Sequence, residues 1–401
     1  MNKKVQKNID SEQSDHIDND IGLNSHLPLN SVAFAEVYDD FTKEIGVSSD
    51  FFIDSVMLDK PLLTTILETE FGRIGIILLP IKNGEIYISS NLIDSINDGI
   101  NLAQEYGAKS ASLTGLIPSA TNYGKDIDYS KNDGFLLTTG HASTVSAIAL
   151  NVTNALNNTK RNIDSETIAY IGLGSIGMAT INLMLSVLPH PKKILLCDLF
   201  SRSEEIEKIK NLIINKFNFK GEISATINPN NCAAIHKSIY DEATLMIGAT
   251  NVPDIISTDM LRPGTIIIDD SAPHIFEVDS CLERFKKQKD ILVLQAGKLT
   301  LSKLFNCIYT DFKRLSRSKT HIGNKRCIRM QREIMGCTFG SLLPLISEKT
   351  PSTLGTIEAQ TAVSYYDFFC KQKILASSLQ CGNHLYQPTE IEEFRINSII
   401  S

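Results

Sequence analysis

Two places in this 401-residue chain combine residue types and spacing that can do chemistry. The first is TIAYIGLGSIGM, residues 167 to 178, in which Gly172, Gly174 and Gly177 form G-x-G-x-x-G. An apolar run precedes the motif and an apolar helical stretch, Met178 to Leu188, follows it. A second apolar run then ends in Asp198, 21 residues past Gly177. A strand, a glycine turn, a helix and an acidic residue at that distance are what a dinucleotide site requires. Gly172 permits the tight turn, Gly174 lets backbone approach a pyrophosphate, and Gly177 allows close helix–strand packing. The helix start, with Ser175 and Ile176, favours the phosphate charge. Asp198 can accept from ribose hydroxyls and repels a 2′-phosphate, which favours NADH. Ser201, Arg202 and Ser203 follow closely and can bind a phosphate, so NADPH stays open. Gly248-Ala249-Thr250-Asn251 closes a later apolar run, either as small residues on the nicotinamide side of a cleft or as a simple turn.

The second place is KRCIRMQREIMGCTFGSLLPLI, residues 325 to 346, with apolar residues at helical spacing. Cys337 lies between Gly336 and Gly340, where a thin surface leaves the sulfur within reach of a substrate. Arg329 and Arg332 lie one to two turns earlier in such a helix, and a nearby cation raises the thiolate fraction. A helix cysteine is equally a small packed hydrophobe.

These residues need elements to position them. Arg73 to Pro80 reads as a strand, Glu85 to Ile88 as a short one, and Asn91 to Tyr106 as a helix stopped by Gly107. Ser112 to Leu116 reads as a further strand. Thr138-Thr139-Gly140-His141 precedes a strongly helical stretch, and its hydroxyls can cap the start. From Thr167 the pattern alternates strand and helix, with strands expected at 167–171, 193–197, 245–247, 265–268 and 291–294. That is the signature of βαβ units and a parallel sheet. The expected fold is therefore α/β, with four parts. They are a disordered polar leader (1–30), an N-terminal α/β domain (31–140), a Rossmann-type domain (141–300) and a helical, basic C-terminal segment (301–401).

Composition narrows the function classes. Lys and Arg number 39 against 46 Asp and Glu, a net charge of −7, which argues against a general nucleic-acid binder. Eight cysteines with no C-x-x-C pair argue against a disulfide scaffold or structural zinc. The expectation is a cytoplasmic protein with no metal and no membrane span.

Over about residues 70 to 390 the chain resembles the long-chain acyl-acyl-carrier-protein reductases, the aldehyde-forming enzymes of cyanobacteria. The stretches that carry the resemblance, in order, are GRIGIILLP, AQEYGAKSASLTGL, LLTTGHASTV, IAYIGLGSIG, ATNVPDIISTDMLRPGTIIIDDSAP, LVLQAG and REIMGCTFGSLL. The family's R-x-x-x-x-C segment falls on Arg332 and Cys337. The resemblance implies that Cys337 takes an acyl group as a thioester, which NAD(P)H reduces to an aldehyde. Thr138, Thr139 and His141 are then candidates to hold the developing oxyanion. Asp269 and Pro273 match a family I-D-x-x-x-P segment that shapes the loop beside the cofactor. Two positions depart from the pattern. Asp198 stands near an Arg of NADPH-using members, and His141 replaces an Asn.

Between Lys313 and Arg332 lie Lys313, Arg314, Arg317, Lys319, Lys325, Arg326, Arg329 and Arg332, with no Asp or Glu among them. This run is either a solvated surface or a docking patch for an acidic acyl carrier protein, coenzyme A being the other thioester carrier. Two competing readings remain. One is an amino-acid or shikimate-type dehydrogenase, which has no use for Cys337. The other is a cofactor-binding sensor or scaffold.

Overall fold

The computed structural model describes residues 27–129, 134–199, 203–228, 235–309 and 328–400. Most of the basic run, Lys313 to Arg326, lies outside them, as do Arg202 and residues 1–26 of the expected leader. Residues 27–30 correct that leader's boundary. Leu29 is 3 % exposed in the apolar core of the first sheet, and its N–H donates to the Tyr106 carbonyl at 2.8 Å.

Two sheets carry the molecule. The first begins with β1 (Ser31–Val37), β2 (Leu62–Thr69), β3 (Gly72–Lys82), β4 (Ser110–Leu113) and β5 (Leu136–Thr138). The second contains β6 (Thr167–Ile171), β7 (Lys193–Leu199), β8 (Glu222–Asn228), β9 (Leu245–Gly248), β10 (Ile266–Asp269) and β11 (Leu292–Gln295). Every pairing in the second sheet is parallel, in the order β11-β10-β9-β6-β7-β8. That is the Rossmann order, with its reversal between β6 and β9. The strands read as unbroken apolar runs because helices cover both faces of such a sheet. All four residues of β9 and of β10 are buried.

The helix His141–Thr159 joins the two halves. It packs on the helices Ser175–Val187 and Ala359–Gln372 and is buried along most of its length. Gly107, at φ +81°, ends the helix Leu92–Glu105 as the sequence predicts. Residues 85–88 form no strand. Asn83–Glu85 is a 3₁₀ turn, braced where Asn83 Nδ2 donates to Glu36 at 2.9 Å.

The largest correction concerns the C-terminal part. After Gly297 the chain forms β12 (Lys298–Tyr309) and β13 (Ile328–Met335), both of which return to the first sheet, whose path becomes β13-β12-β2-β3-β1-β4-β5. Residues 328–335 are thus strand, and helix begins only at Gly336–Phe339. The reason is tertiary. β13 is an edge strand held by antiparallel pairing with β12, and Ile334 is its only described residue in the buried class. Ile328, Met330 and Ile334 alternate with Arg329, Gln331 and Glu333, a period-2 pattern that Arg332 interrupts and that the helical spacing masked.

A buried ion pair holds the amino-terminal end of the second sheet. Arg161 pairs with Glu166 (3 % exposed) and donates to the carbonyls of Gly264 at 2.7 Å and Thr244 at 3.1 Å. Removing one partner strands the other charge in the interior, which typically costs about 3 kcal/mol or more. Arg161→Ala should therefore lower the denaturation midpoint by the equivalent of about 3 kcal/mol. An unchanged midpoint in urea would show the pair to be dispensable.

Candidate functional site

A cleft of about 860 Å³ opens where the carboxyl ends of β6 and β9 diverge, the point at which Rossmann sheets bind ligands. The glycine turn forms its floor. Gly172, at φ +89°, lies against Ala249 and Thr250 so closely that a Cβ there would collide with backbone. A Cβ on Gly177 would collide with the Gly172 carbonyl, whereas one on Gly174 would meet only open space. Gly172 and Gly177 are thus confined by close packing, while the space over Gly174 is open. Asp198 Oδ2 accepts the Leu173 N–H at 2.9 Å, so the carboxylate also orients the turn. Ser175, Ile176, Ala249, Thr250 and Asn251 line the same cleft. Asn251 Nδ2 reaches across it to the Tyr87 hydroxyl at 3.1 Å, tying the two halves together.

Thr139, His141 and Cys337 face this cleft from the other side. The Thr139 hydroxyl accepts the His141 N–H at 3.4 Å, a local support for the helix start. His141 Nδ1 lies 3.2 Å from Ser175 Oγ, linking that helix to the glycine turn. Burial pushes the imidazole down to about 4, so it is neutral at physiological pH. It serves as a neutral hydrogen-bonding group, not as a fixed cation.

Cys337 sits in a turn gripped by the first sheet. Ser112 Oγ donates to the Cys337 carbonyl at 2.7 Å, and Ser110 Oγ donates to the Ser341 carbonyl at 2.5 Å. The Ser31 and Ser341 hydroxyls lie 2.9 Å apart. All three strand serines are fully buried, so a polar stripe on β1 and β4 is used up in holding one turn. Below it, Gly336 N–H donates to the Gly297 carbonyl at 2.6 Å.

The thiol's electrostatics correct the expectation from its arginines. Burial, reinforced by the Asp270 carboxylate, pushes Cys337 up to about 12. The N–H groups of Thr338 and Gly115 and the Thr338 hydroxyl act in the opposite sense and are outweighed. Arg332 lies on a second depression with Lys298 and Glu333, and Arg329 packs over the Tyr309 ring at 5.7 Å. Neither arginine lines the Cys337 cleft, because a strand rather than a helix carries them.

Three residues in and beside the cleft, Asp270, Tyr38 and Glu36, escaped the sequence reading. Asp270 follows Asp269, whose carboxylate is consumed by the N–H groups of Ser271 and Ile275 and by His274 Nδ1 at 2.8 Å. Strand alternation sends the next side chain the other way, into the cleft, and that period-2 rule was the signal available. Tyr38 and Glu36 meet over Gly115, where a Cβ would collide with both. Burial raises the Glu36 carboxyl above the usual range, against the hydrogen bonds from Leu116 N–H and Asn83 that oppose it. It raises the Tyr38 phenol as well, with Glu36 adding to the effect. Among the described residues no three His, Cys, Asp or Glu side chains are grouped to hold a metal, and no helix is long and apolar enough to cross a membrane.

No protein-family model matches the chain, and no curated protein matches it either. Solved structures overlap with it weakly. Salmonella D-lactate dehydrogenase shares 12 % identity over 66 % of this chain and 78 % of its own, with a TM-score of 0.28. A short-chain alcohol dehydrogenase from E. coli CFT073, complexed with NADH, shares 19 % over 38 % of this chain, with a TM-score of 0.28. The match spans 42 % of that enzyme's length. The pyruvate reductase of Chlamydomonas reinhardtii shares 9 % over 66 % of this chain and 75 % of its own, with a TM-score of 0.27. Overlaps of this size carry no argument about activity.

Gly140 is the contact on which the Cys337 turn rests. It has φ +69°, and a Cβ there would lie 2.7 Å from the Cys337 carbonyl oxygen and 2.8 Å from its Cα. Gly140→Ala should cost about 2 kcal/mol from the left-handed conformation and the collision together. It should also displace the cysteine. Thermal unfolding and the alkylation rate of Cys337 are the measurements, and a variant matching wild type in both would refute the contact's importance.

Proposed function

We propose that the chain is an NAD(P)H-dependent acyl-thioester reductase that forms an aldehyde through an acyl group carried on Cys337. The observation that carries this reading is the placement of Cys337 in the same cleft as the glycine turn, facing it across the junction of the two halves. The open space above Gly174, the helix start at Ser175 and the Asp198 carboxylate fit a dinucleotide, whose adenosine ribose Asp198 would hold. When bound there, a reduced nicotinamide supplies the hydride that converts the Cys337 thioester to an aldehyde. The protein's own part is to hold and activate the acyl carbon. The N–H groups of Gly115 and Thr338 favour negative charge at the Cys337 sulfur and are the backbone donors that would hold the oxygen of an acyl group bonded to it. His141, neutral and tied to Ser175, is the nearby side-chain donor. An acidic carrier protein is the proposed donor of the acyl group. The exposed Arg329 and Arg332 on β13 are the described part of the basic run that would meet it.

A hydroxy- or amino-acid dehydrogenase is the second reading, and one observation favours it. The Cys337 thiol is held protonated in the resting cleft. Substitution separates the two. Cys337→Ala should lower aldehyde formation from an acyl-thioester by at least about a hundredfold and abolish the acyl adduct seen by mass spectrometry without cofactor. Retention of the wild-type rate would exclude the covalent route.

Cofactor preference follows from Asp198. A charge-assisted hydrogen bond to ribose is worth about 1.5 kcal/mol or more, so Asp198→Ala should raise KM for NADH roughly tenfold. The same change should leave KM for NADPH unchanged or lower it. Equal increases for both cofactors would remove Asp198 from cofactor selection.

A further inference from the structure

Among the described residues, Asp270 is the acidic side chain lining the cleft beside Cys337 that the fold does not use elsewhere. It stands at the end of β10 and packs so closely on Gly297 that a Cβ on that glycine would collide with Oδ1. The Gly297 carbonyl in turn accepts the Gly336 N–H, adjacent to the cysteine. Asp270 and Cys337 are thus joined through one short backbone link and open into the same space. Among the described residues no donor serves the Asp270 carboxylate, in contrast to Asp269, which takes three.

We infer that Asp270 is the proton-transfer partner of Cys337, taking the thiol proton as the sulfur attacks and delivering it to the departing thiol. The inference rests on the acyl-thioester reading of the cleft. The other groups facing the sulfur do not fill this role. His141 is neutral and held at Ser175, Tyr38 holds its proton more tightly than a free phenol, and Gly115 and Thr338 offer only donors. Two adjacent groups that lose protons to negative charge titrate as a pair, and the form with one proton between them is the working one. Burial raises Asp270 well above the usual carboxylate range, with Asp269 adding to it. A carboxylate of raised basicity is a better match for a thiol proton than an ordinary one.

The step balances without any further reactant. The Cys337 S–H proton passes to the Asp270 carboxylate while the sulfur forms a bond to the acyl carbon. The bond from that carbon to the carrier sulfur breaks, and its electron pair leaves with the carrier. The Asp270 carboxyl then protonates the carrier thiolate and is again a carboxylate. The products are acyl-Cys337 and a free carrier thiol.

The pair predicts opposite effects on two reactions of the same sulfur. In Asp270→Asn the repulsive charge is gone, so iodoacetamide should alkylate Cys337 about tenfold faster near pH 8.5, with the rate profile moved to lower pH. Acylation of Cys337 by an acyl-coenzyme A, followed by mass spectrometry without cofactor, should be about a hundredfold slower. Asp270→Glu should recover part of the acylation rate and keep the profile near wild type. A purely structural role would slow both reactions together. A profile in Asp270→Asn that superimposes on wild type, or acylation as fast as wild type, would overturn the inference. If wild type shows no acyl adduct on Cys337 while the alkylation profile still moves in Asp270→Asn, the acyl-thioester reading falls and the pairing stands.

Discussion

The contact between Gly140 and the turn that carries Cys337 sets the rest of the site. At that point the start of the central helix, a strand of the first sheet and the turn after β13 come within van der Waals distance. A side chain at residue 140 would hold them apart, and a non-glycine residue would resist the left-handed backbone as well. Because the three meet, the cysteine faces the glycine turn of the other sheet instead of the solvent. The strand serines follow from the same constraint. Ser31, Ser110 and Ser112 lie where apolar residues would pack more favourably, and each is matched to a group of the turn. Polar satisfaction in a buried place gives direction as well as stability.

Desolvation dominates the titratable groups in and beside the cleft that results. Burial raises Cys337, Asp270, Glu36 and Tyr38 and lowers His141, so every shift disfavours ionisation. Desolvation outweighs the local donors at Cys337 even though two backbone N–H groups and a hydroxyl point at the sulfur. Under the proposed acyl-thioester reading, acylation would move a proton between neighbours without a stable charge being built first. The site suits a permanently ionised thiolate less well, and this separates it from cysteines activated by adjacent cations.

How much of this the sequence disclosed depends on the range of the interaction. The glycine turn was legible because turn, strand and helix are local, and the central strands were legible because continuous apolar runs leave few alternatives. Gly107 stopped its helix for a reason contained in one residue. By contrast, Ile328 to Met335 carries a strand period that Arg332 interrupts, and its pairing with β12 is what makes it a strand. That single change moved Arg332 out of the cleft and removed its expected influence on Cys337. Asp270 was hidden for a related reason. Two adjacent aspartates look equivalent in sequence, and only the end of β10 assigns one to the loop and the other to the cleft.

The sequence by itself determined the dinucleotide-type turn, the parallel order of elements around it and the presence of a cysteine flanked by glycines. These rest on backbone conformation and local burial, which neighbouring residues dictate. The tertiary structure decided which residues share the cleft and in what protonation state they wait. It returned the chain after Gly297 to the first sheet, set Cys337 against Gly140, and left Asp270 rather than an arginine as the ionisable neighbour of the sulfur. Those outcomes depend on contacts between segments as much as 310 residues apart and on the exclusion of water, neither of which is written in any local run of residues.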